Sequence, residues 1–279
     1  MQGIPIRRHR PKMVWKYVIS LFLIVFNLLV LYVLVSMSLK TTSADLSNRL
    51  AWPSSPSFAN YEEVFSTGKI LTAYKNSIII TVSTVLLEIC LSSLAAYPLA
   101  RNDSRLNRKI SSFCLGVMMI PSVSILVGVY TTLVSLNGIS HLWAVVAVES
   151  AFGLPMSIFM YTNFIRSIPS ALDEAAAIDG AGLLQTFVRI IFPQLKACTI
   201  SIVIMKGIAA WNSYLYPSYI LQKPESHTII LLIKENFGAG EVNIQGAAAC
   251  AVLGILPVIV IYLCLQKYFV RGQIDAAIK

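Results

Sequence analysis

Charged side chains are scarce in this sequence. Asp, Glu, Lys and Arg together make up 13% of its 279 residues, whereas soluble domains average about 25%. Hydrophobic residues make up 56% of the chain. So little charge excludes an ordinary soluble domain and places the chain among membrane proteins.

The sequence also lacks the common catalytic and metal-binding motifs. It contains no Gly-x-x-x-x-Gly-Lys-Ser/Thr loop for ATP, no His-Glu-x-x-His zinc motif and no Gly-x-Ser-x-Gly nucleophile turn. The five cysteines form no Cys-x-x-Cys pair, and the three histidines lie in distant segments. We therefore expect no catalytic residues, no metal site and no cofactor, and the chain is not predicted to be an enzyme.

Long uncharged stretches predict six membrane-spanning helices. A bilayer core about 30 Å thick needs about 20 apolar helical residues. The uncharged run 110–148 is too long for one span, and the polar break 136–141 divides it. We detect no internal repeat, which argues against a secondary transporter built from inverted repeats. The predicted spans are 17–39, 76–98, 111–134, 142–165, 197–221 and 246–266.

The basic residues predict the orientation of these spans. The net charge is +9, but Lys and Arg cluster at the ends of apolar runs, as topology signals do, and form no patch suited to nucleic acid. Fifteen of them fall in segments on the side of the N-terminus and six on the other side. Both termini are therefore predicted to be cytoplasmic. The predicted organisation is a basic tail (1–16), a first helix (17–39), an external loop (40–75), a five-helix core (76–270) and a cytoplasmic tail (271–279).

The external loop and one cytoplasmic loop contain features that suggest ordered surfaces. Turn formers and aromatic residues in 40–75 predict either an interfacial aromatic belt or a docking face for an external protein. In the cytoplasmic segment 168–193, Ser170 precedes Asp173 by three residues, the spacing of a capping box. Three alanines then favour helix, and Gly180 and Gly182 allow a turn before a second helical piece. Taken alone, this pattern also suits an amphipathic interfacial helix.

The segment 168–193 resembles the cytoplasmic coupling loop of bacterial ABC importer permeases, with its Glu-Ala-Ala, Gly and Pro signature. The flanking sequence is similar to the carbohydrate-uptake, maltose-type branch of that family. The resemblance covers nearly the whole chain from about residue 58 and rests on several motifs in order. These are Asn60-Tyr61, Asn76-Ser77, Ala95-Ala96-Tyr97, Met119-Ile120-Pro121, Gly153-Leu154-Pro155, Trp211-Asn212, Tyr268-Phe269-Val270-Arg271-Gly272 and Ala276-Ala277-Ile278-Lys279.

The resemblance implies an all-α membrane protein with the type I ABC importer permease fold and a cytoplasmic coupling helix. It implies a multi-pass subunit of the bacterial cytoplasmic membrane, in contact with lipid. Its partners would be a second homologous permease, a dimer of ATPase subunits that hydrolyse ATP, an extracytoplasmic solute-binding protein and a carbohydrate substrate. By the resemblance, Glu174 would contact the ATPase, Gly180 would supply the turn and Asp179 would help to hold it. The implied coupling residues are Asp173, Glu174, Ala175, Ala176, Asp179, Gly180 and Gly182.

Two rival functions remain open at this point. The first is a membrane-embedded enzyme or a stand-alone secondary transporter, which would act without an ATPase. The second keeps the ABC permease fold but carries an amino acid, phosphate or polyamine.

Three charged residues, Glu88, Glu149 and Lys206, fall within predicted spans. Charges inside a membrane are costly and therefore suggest function. Glu88 and Lys206 both lie roughly 18–20 Å from the ends of their spans at 1.5 Å per residue. Opposite charges at one depth predict an ion pair, although each side chain could instead line a wet cavity or, for Lys206, reach toward the surface. Glu149 lies nearer the outer face and could simply be solvated.

The outer half of the fifth span is rich in aromatic residues. Trp211, Asn212, Tyr214 and Tyr216 lie close together in the sequence. Aromatic rings stack on sugars and an amide can bond hydroxyl groups, so Trp211, Asn212 and Tyr214 join Glu88, Lys206 and Glu149 as a candidate substrate path. The alternative is an interfacial belt combined with ordinary helix packing.

Overall fold

The computed structural model describes residues 12–41, 50–237 and 243–277, and within them the side chains of 15–41, 50–237 and 243–263. The regular structure of the described residues is helical. Short 3₁₀ turns lie at Ser122–Ile125 and Pro224–Ser226, and a π-helical turn at Phe187–Ile191. The α-helices are α1 (Lys12–Ser38), α2 (Ala59–Ser66), α3 (Lys69–Arg101), α4 (Arg105–Met118), α5 (Leu126–Ser135), α6 (Leu142–Arg166), α7 (Ala171–Ile178), α8 (Leu183–Thr186), α9 (Phe192–Gln194), α10 (Lys196–Trp211), α11 (Leu215–Ile220), α12 (Ile229–Glu235) and α13 (Ile244–Ala277).

The described helices provide the predicted membrane spans, with one departure. Stretches in α1, α3, α6, α10–α11 and α13 are each long and apolar enough to cross a membrane. The sixth candidate consists of α4 and the segment Ser122–Ser135, which meet at an angle of 94°. The predicted all-α membrane fold is therefore confirmed, and the number of spans is six if the bent pair counts as one.

The prediction of one continuous helix over 111–134 is wrong. Helix α4 ends at Met118, and Pro121 is extended with φ −63° and ψ 126°. Proline has no N–H to donate and disfavours helix in the residue before it. The chain therefore leaves the helix before Pro121 and becomes helical again in a new direction.

Helix α3 lies at the centre of the described structure. It packs most extensively against α6 and also contacts α10, while α13 packs on α1 and α10. Near the predicted external side, Ile80 of α3 packs with Val145 of α6 and Ile220 of α11. At the other end, Ala96 of α3 packs with Ile165 of α6 in a separate buried cluster. Helices α3 and α6 thus hold both ends of the bundle together.

Several predicted boundaries differ from those of the structure. The segment 40–75 is not only a loop, because it contains α2 and the first turns of α3. The buried side chain of Asn60 fixes this segment by donating to Ser38 O at 2.8 Å and Lys40 O at 2.7 Å. Residues 1–11 of the predicted basic tail (1–16) lie outside the described residues, and α1 begins within that tail, at Lys12. At the other terminus α13 continues through the predicted tail to Ala277.

Candidate functional site

Residues 168–193, called the coupling unit below, fold into a short helix, a tight turn and a second helical piece. Helix α7 ends at Ile178, and Gly180 has a φ of +78°. The N–H of Gly180 donates to Ala177 O at 3.1 Å and the N–H of Ala181 to Ala176 O at 2.9 Å. This pair of bonds is a Schellman turn, in which glycine avoids the strain of a left-handed conformation. The turn predicted at Gly180 is therefore present.

The other predicted features of the turn differ. Gly182 has an ordinary extended backbone, with φ −72° and ψ 162°, so the turn does not require glycine at that position. Within the described residues the carboxylate of Asp179 has no hydrogen bond or ion pair. Asp179 contributes through its backbone N–H, which donates to Ala175 O at 3.0 Å.

The capping box predicted for Ser170 and Asp173 is absent. The Ser170 side chain makes no capping hydrogen bond. Asp173 instead turns toward α3, where Tyr97 Oη donates to its Oδ1 at 2.5 Å and Arg101 Nη2 lies 2.8 Å from its Oδ2. A guanidinium and a phenol from another helix offer the carboxylate stronger partners than the backbone N–H groups of its own helix. Sequence reasoning missed Tyr97 and Arg101, although Tyr97 belongs to a motif noted above.

One further hydrogen bond and an apolar cluster hold the inner face of the coupling unit, and a neighbouring bond joins α6 to α3. Arg101 Nη1 donates to Ile168 O at 2.9 Å, and Arg166 Nη2 donates to Leu99 O at 3.3 Å. Ala176 is buried, and the ring centroids of Phe187 and Tyr97 lie 5.3 Å apart. The cluster at this end joins α3, α6, α10 and the coupling unit through Ala96, Tyr161, Ile165, Phe187, Ile191, Leu195, Cys198 and Ile202.

The outer face of the coupling unit is exposed and partly apolar. Ile178 is 87% exposed, Leu183 81% and Leu184 67%. The predicted coupling residues Glu174, Ala175, Asp179, Gly180 and Gly182 are exposed beside them, whereas Ala176 is buried and Asp173 half-buried. Large apolar side chains exposed beside a rigid turn are typical of a protein-binding surface.

The ion pair predicted between Glu88 and Lys206 is present. Lys206 Nζ lies 3.6 Å from Glu88 Oε2, and the two side chains are 17% and 1% exposed. Ser157 of α6 donates to the same oxygen at 2.6 Å. One carboxylate thus joins α3, α6 and α10 within the membrane-spanning region.

Glu149 and Gly153 lie on the same face of α6 as Ser157, at intervals of four residues. Ser213 donates a hydrogen bond to Glu149, which is half-buried. A Cβ at Gly153 would overlap the Glu88 carboxyl group. The absence of a side chain at Gly153 therefore admits Glu88, which sequence reasoning did not anticipate. The four-residue spacing of Gly153 and Ser157, on a helix that packs against α3, is the sequence signal that could have revealed this contact with Glu88.

The predicted aromatic path is only partly supported. Trp211 is 5% exposed, its ring packs against Tyr74, and its Nε1 donates to Gly254 O at 3.1 Å. Because so little of its surface is exposed, the assignment of Trp211 to the path is corrected to helix packing. Asn212 is exposed and donates to Ile208 O, and Tyr214 is 44% exposed with Lys234 Nζ 5.5 Å from its ring centroid.

The described residues contain no group of three or more His, Cys, Asp or Glu side chains placed to hold a metal ion. The chemistry available in the membrane region is therefore that of a buried ion pair, hydroxyl groups and a half-buried carboxylate. These groups can bind polar cargo or link helices.

Comparisons with known proteins identify the family. The family model of the binding-protein-dependent transport system inner membrane component matches residues 88–275. The melibiose/raffinose/stachyose import permease protein MelC of Bacillus subtilis is 36% identical over 249 residues, or 89% of this chain and 90% of the relative. The multiple sugar-binding transport system permease protein MsmG of Streptococcus mutans is 32% identical over 270 residues, or 95% and 96%.

A solved structure supports the fold. It is the crystal structure of a bacterial ABC transporter involved in the import of the acidic polysaccharide alginate. One of its chains matches with a TM-score of 0.81 and 23% identity, over 96% of this chain and all of that one. The chain described here belongs to the family of binding-protein-dependent transport system inner membrane components, the permeases of ABC importers.

Proposed function

We propose that this chain is a transmembrane permease subunit of an ATP-driven importer for a carbohydrate, an oligosaccharide or a related sugar. Family membership supports the transport role, and the sugar-transport functions for which MelC and MsmG are named support a sugar as cargo. ATP hydrolysis would occur in a partner, because the chain has no phosphate-binding loop. An amino acid, phosphate or polyamine remains a cargo that the uptake assay below would expose.

The observation that carries the proposal is the two-sided coupling unit. Its inner face is joined to α3, α6 and α10, while Ile178, Leu183 and Leu184 are exposed on the outer face. A cleft in an ATPase dimer could hold the outer face, and the inner face would pass a rigid-body movement to the membrane helices. Both termini and the coupling unit would be cytoplasmic, as the distribution of basic residues predicts.

The full assembly would contain this subunit, a second homologous permease, two ATPase subunits and an external binding protein. ATP binding would draw the coupling helices together and open the path toward the binding protein. Glu88, Lys206, Glu149, Asn212 and Tyr214 would lie along or beside that path. Lys206 and Glu149 are only partly buried within the predicted spans. Their charges are most stable facing water, since exposure of a charge to lipid is costly.

The test is purification of the tagged chain from its native membrane, followed by an ATPase assay and uptake of labelled neutral oligosaccharides by the reconstituted complex. We expect a second permease and an ATPase to co-purify. Glu174→Lys reverses an exposed charge on the coupling unit and should release the ATPase. Glu62→Lys, the same change at an exposed position of α2 on the predicted external side, should retain it.

Other results would point elsewhere. A chain that purifies alone and transports sugar without ATP, driven by an ion gradient, would be a secondary transporter. A complex that binds an ATPase but takes up only non-sugar cargo would preserve the permease role and overturn the carbohydrate assignment.

A further inference from the structure

The coupling unit has covalent connections to two membrane helices but not to α3. Helix α6 leads into α7, and α9 leads into α10. Helix α3 is remote in sequence, since Arg101 and the residue it contacts, Ile168, are 67 positions apart. A movement of α7 therefore reaches α6 and α10 along the chain, but it reaches α3 only through side-chain and backbone contacts.

The polar contacts between α3 and the coupling unit form one cluster, beside the apolar packing of Phe187 on Tyr97. Tyr97 and Arg101 are four residues apart and therefore share a face of α3. Both hold Asp173, with Tyr97 Oη 2.5 Å from Oδ1 and Arg101 Nη2 2.8 Å from Oδ2. Arg101 adds a bond to Ile168 O of the coupling unit, and Arg166 of α6 donates to Leu99 O of α3 close by. The side chains of Arg101 and Asp173 are only 18% and 20% exposed, so water screens the pair weakly.

Helix α3 also carries the buried charge of the membrane region. Glu88 lies 13 residues from Arg101, about 20 Å along the helix at 1.5 Å per residue. It is joined to Lys206 of α10 and Ser157 of α6. A displacement of α3 relative to these helices would change the geometry of the ion pair.

We propose that Tyr97, Arg101 and Asp173 form a clamp that makes α3 move with the coupling unit. The inference rests on the proposed ATP-driven transport and assigns three positioning residues to it. Asp173 acts on α3, whereas Glu174, the next residue, faces the partner. The clamp carries the movement produced by the ATPase to the helix that contains Glu88.

The experiment measures ATP hydrolysis and sugar uptake together, in proteoliposomes that contain the complete native complex. Arg101→Met removes the ion pair, and Tyr97→Phe removes one hydroxyl group while keeping the ring against Phe187. We expect the variant complexes to hydrolyse ATP while the sugar taken up per ATP falls about fivefold or more for Arg101→Met, the lower end of typical coupling between sites. The loss for Tyr97→Phe should be smaller and in the same direction.

Two controls separate positioning from simple stability. Arg108→Met breaks an ion pair with Asp103 at 3.7 Å on the same predicted side, where both side chains are mostly exposed and neither belongs to the coupling unit. It should leave uptake per ATP unchanged. Arg101→Glu combined with Asp173→Lys restores the pair with reversed charge, and it should transport more sugar per ATP than either single variant.

Three outcomes would overturn the clamp. Uptake per ATP could stay at the wild-type value in both Arg101→Met and Tyr97→Phe, or hydrolysis and uptake could fall in parallel with thermal stability. The charge-reversed double variant could also transport no more sugar per ATP than Arg101→Glu or Asp173→Lys alone. Failure of the wild-type complex to couple ATP to sugar uptake is a different result, because it would refute the proposed function and not the clamp alone.

Discussion

Removal of Lys206 should destabilise the protein far more than removal of the whole ion pair. The Glu88 side chain is 1% exposed, and its carboxylate is compensated by Lys206 at 3.6 Å and Ser157 at 2.6 Å. Lys206→Met keeps much of the aliphatic volume but leaves the carboxylate without a cation. Removing one partner of a buried pair typically costs about 3–5 kcal/mol, a large part of a total stability of about 5–15 kcal/mol.

The double variant Glu88→Gln/Lys206→Met should be much closer to the wild type. Ser157 can still donate to the amide oxygen of a glutamine, and no buried charge remains. Replacement of a buried ion pair by neutral groups is often neutral or stabilising. We therefore expect an interaction energy between the two substitutions of about 2 kcal/mol or more, within the range observed for residues in contact.

The assay is equilibrium or thermal unfolding of the purified wild type, both single variants and the double variant in one detergent or lipid. Lys234→Met provides a control, because it removes an exposed Lys that lies over the Tyr214 ring and outside this cluster. It should change stability by less than about 1 kcal/mol, as expected for exposed interactions. Additive losses in the double variant would refute the reasoning, since they would mean that the two side chains stabilise the fold independently.

Three further predictions concern glycines and a surface ion pair. Gly153→Ala should lower the melting temperature clearly, because the new Cβ would overlap the buried carboxyl group of Glu88. In the Glu88→Gln/Lys206→Met background, the same substitution should lower the melting temperature by no more than it does in the wild type. Gly180→Ala should cost about 1–2 kcal/mol because the native φ is +78°, whereas Gly182→Ala, at φ −72° with open space around it, should leave stability unchanged. The hydrogen bond from Lys69 lowers the pKa of Glu235, so this pair stabilises the fold above the ordinary carboxyl pKa of about 4.3 and loses its effect as pH falls through the lowered value. Lys69→Met should therefore cost about 0.2–1 kcal/mol of stability at pH 7 and nothing in acid. An equal cost at both pH values would contradict this.

The features predicted correctly from the sequence are those that depend on composition and depth. Uncharged stretches longer than about 20 residues specify spans regardless of how the helices pack. Glu88 and Lys206 stand out because each interrupts such a stretch, and their equal depth limits the possible partners. Gly180 was predictable because the turn is local and its bonds lie within six residues.

The features that were missed depend on direction or on residues far apart in the sequence. Hydropathy reports that 111–134 is apolar but not that the helix axis turns by 94° near Pro121. The capping box at Ser170 was a local pattern, and Arg101, 72 positions before Asp173, provided a stronger partner for the carboxylate. Trp211 could equally have faced a path or the interior, and its burial depends on Tyr74 of α3 and Gly254 of α13, which are both far from it in the sequence.

The polar contacts of α3 link it to other segments at three depths: near each end of the helix and in its middle. Apolar side chains do not drive helices together in lipid, because the lipid tails are equally apolar. Close packing and interhelical hydrogen bonds hold them instead. Helix α3, about 50 Å long at 1.5 Å per residue, packs most extensively on α6 and also makes polar contacts at three depths. Asn76 donates to Glu225 O and His227 O near one end, Glu88 bonds Lys206 and Ser157 in the middle, and Arg101 holds Asp173 at the other end. Since one continuous helix carries all three sets, with Pro98 between Glu88 and Arg101, a shift of α3 as a body at the coupling unit would alter the ion pair or the predicted external contacts. In the proposed mechanism, α3 is the helix through which events on the two sides of the membrane would constrain each other.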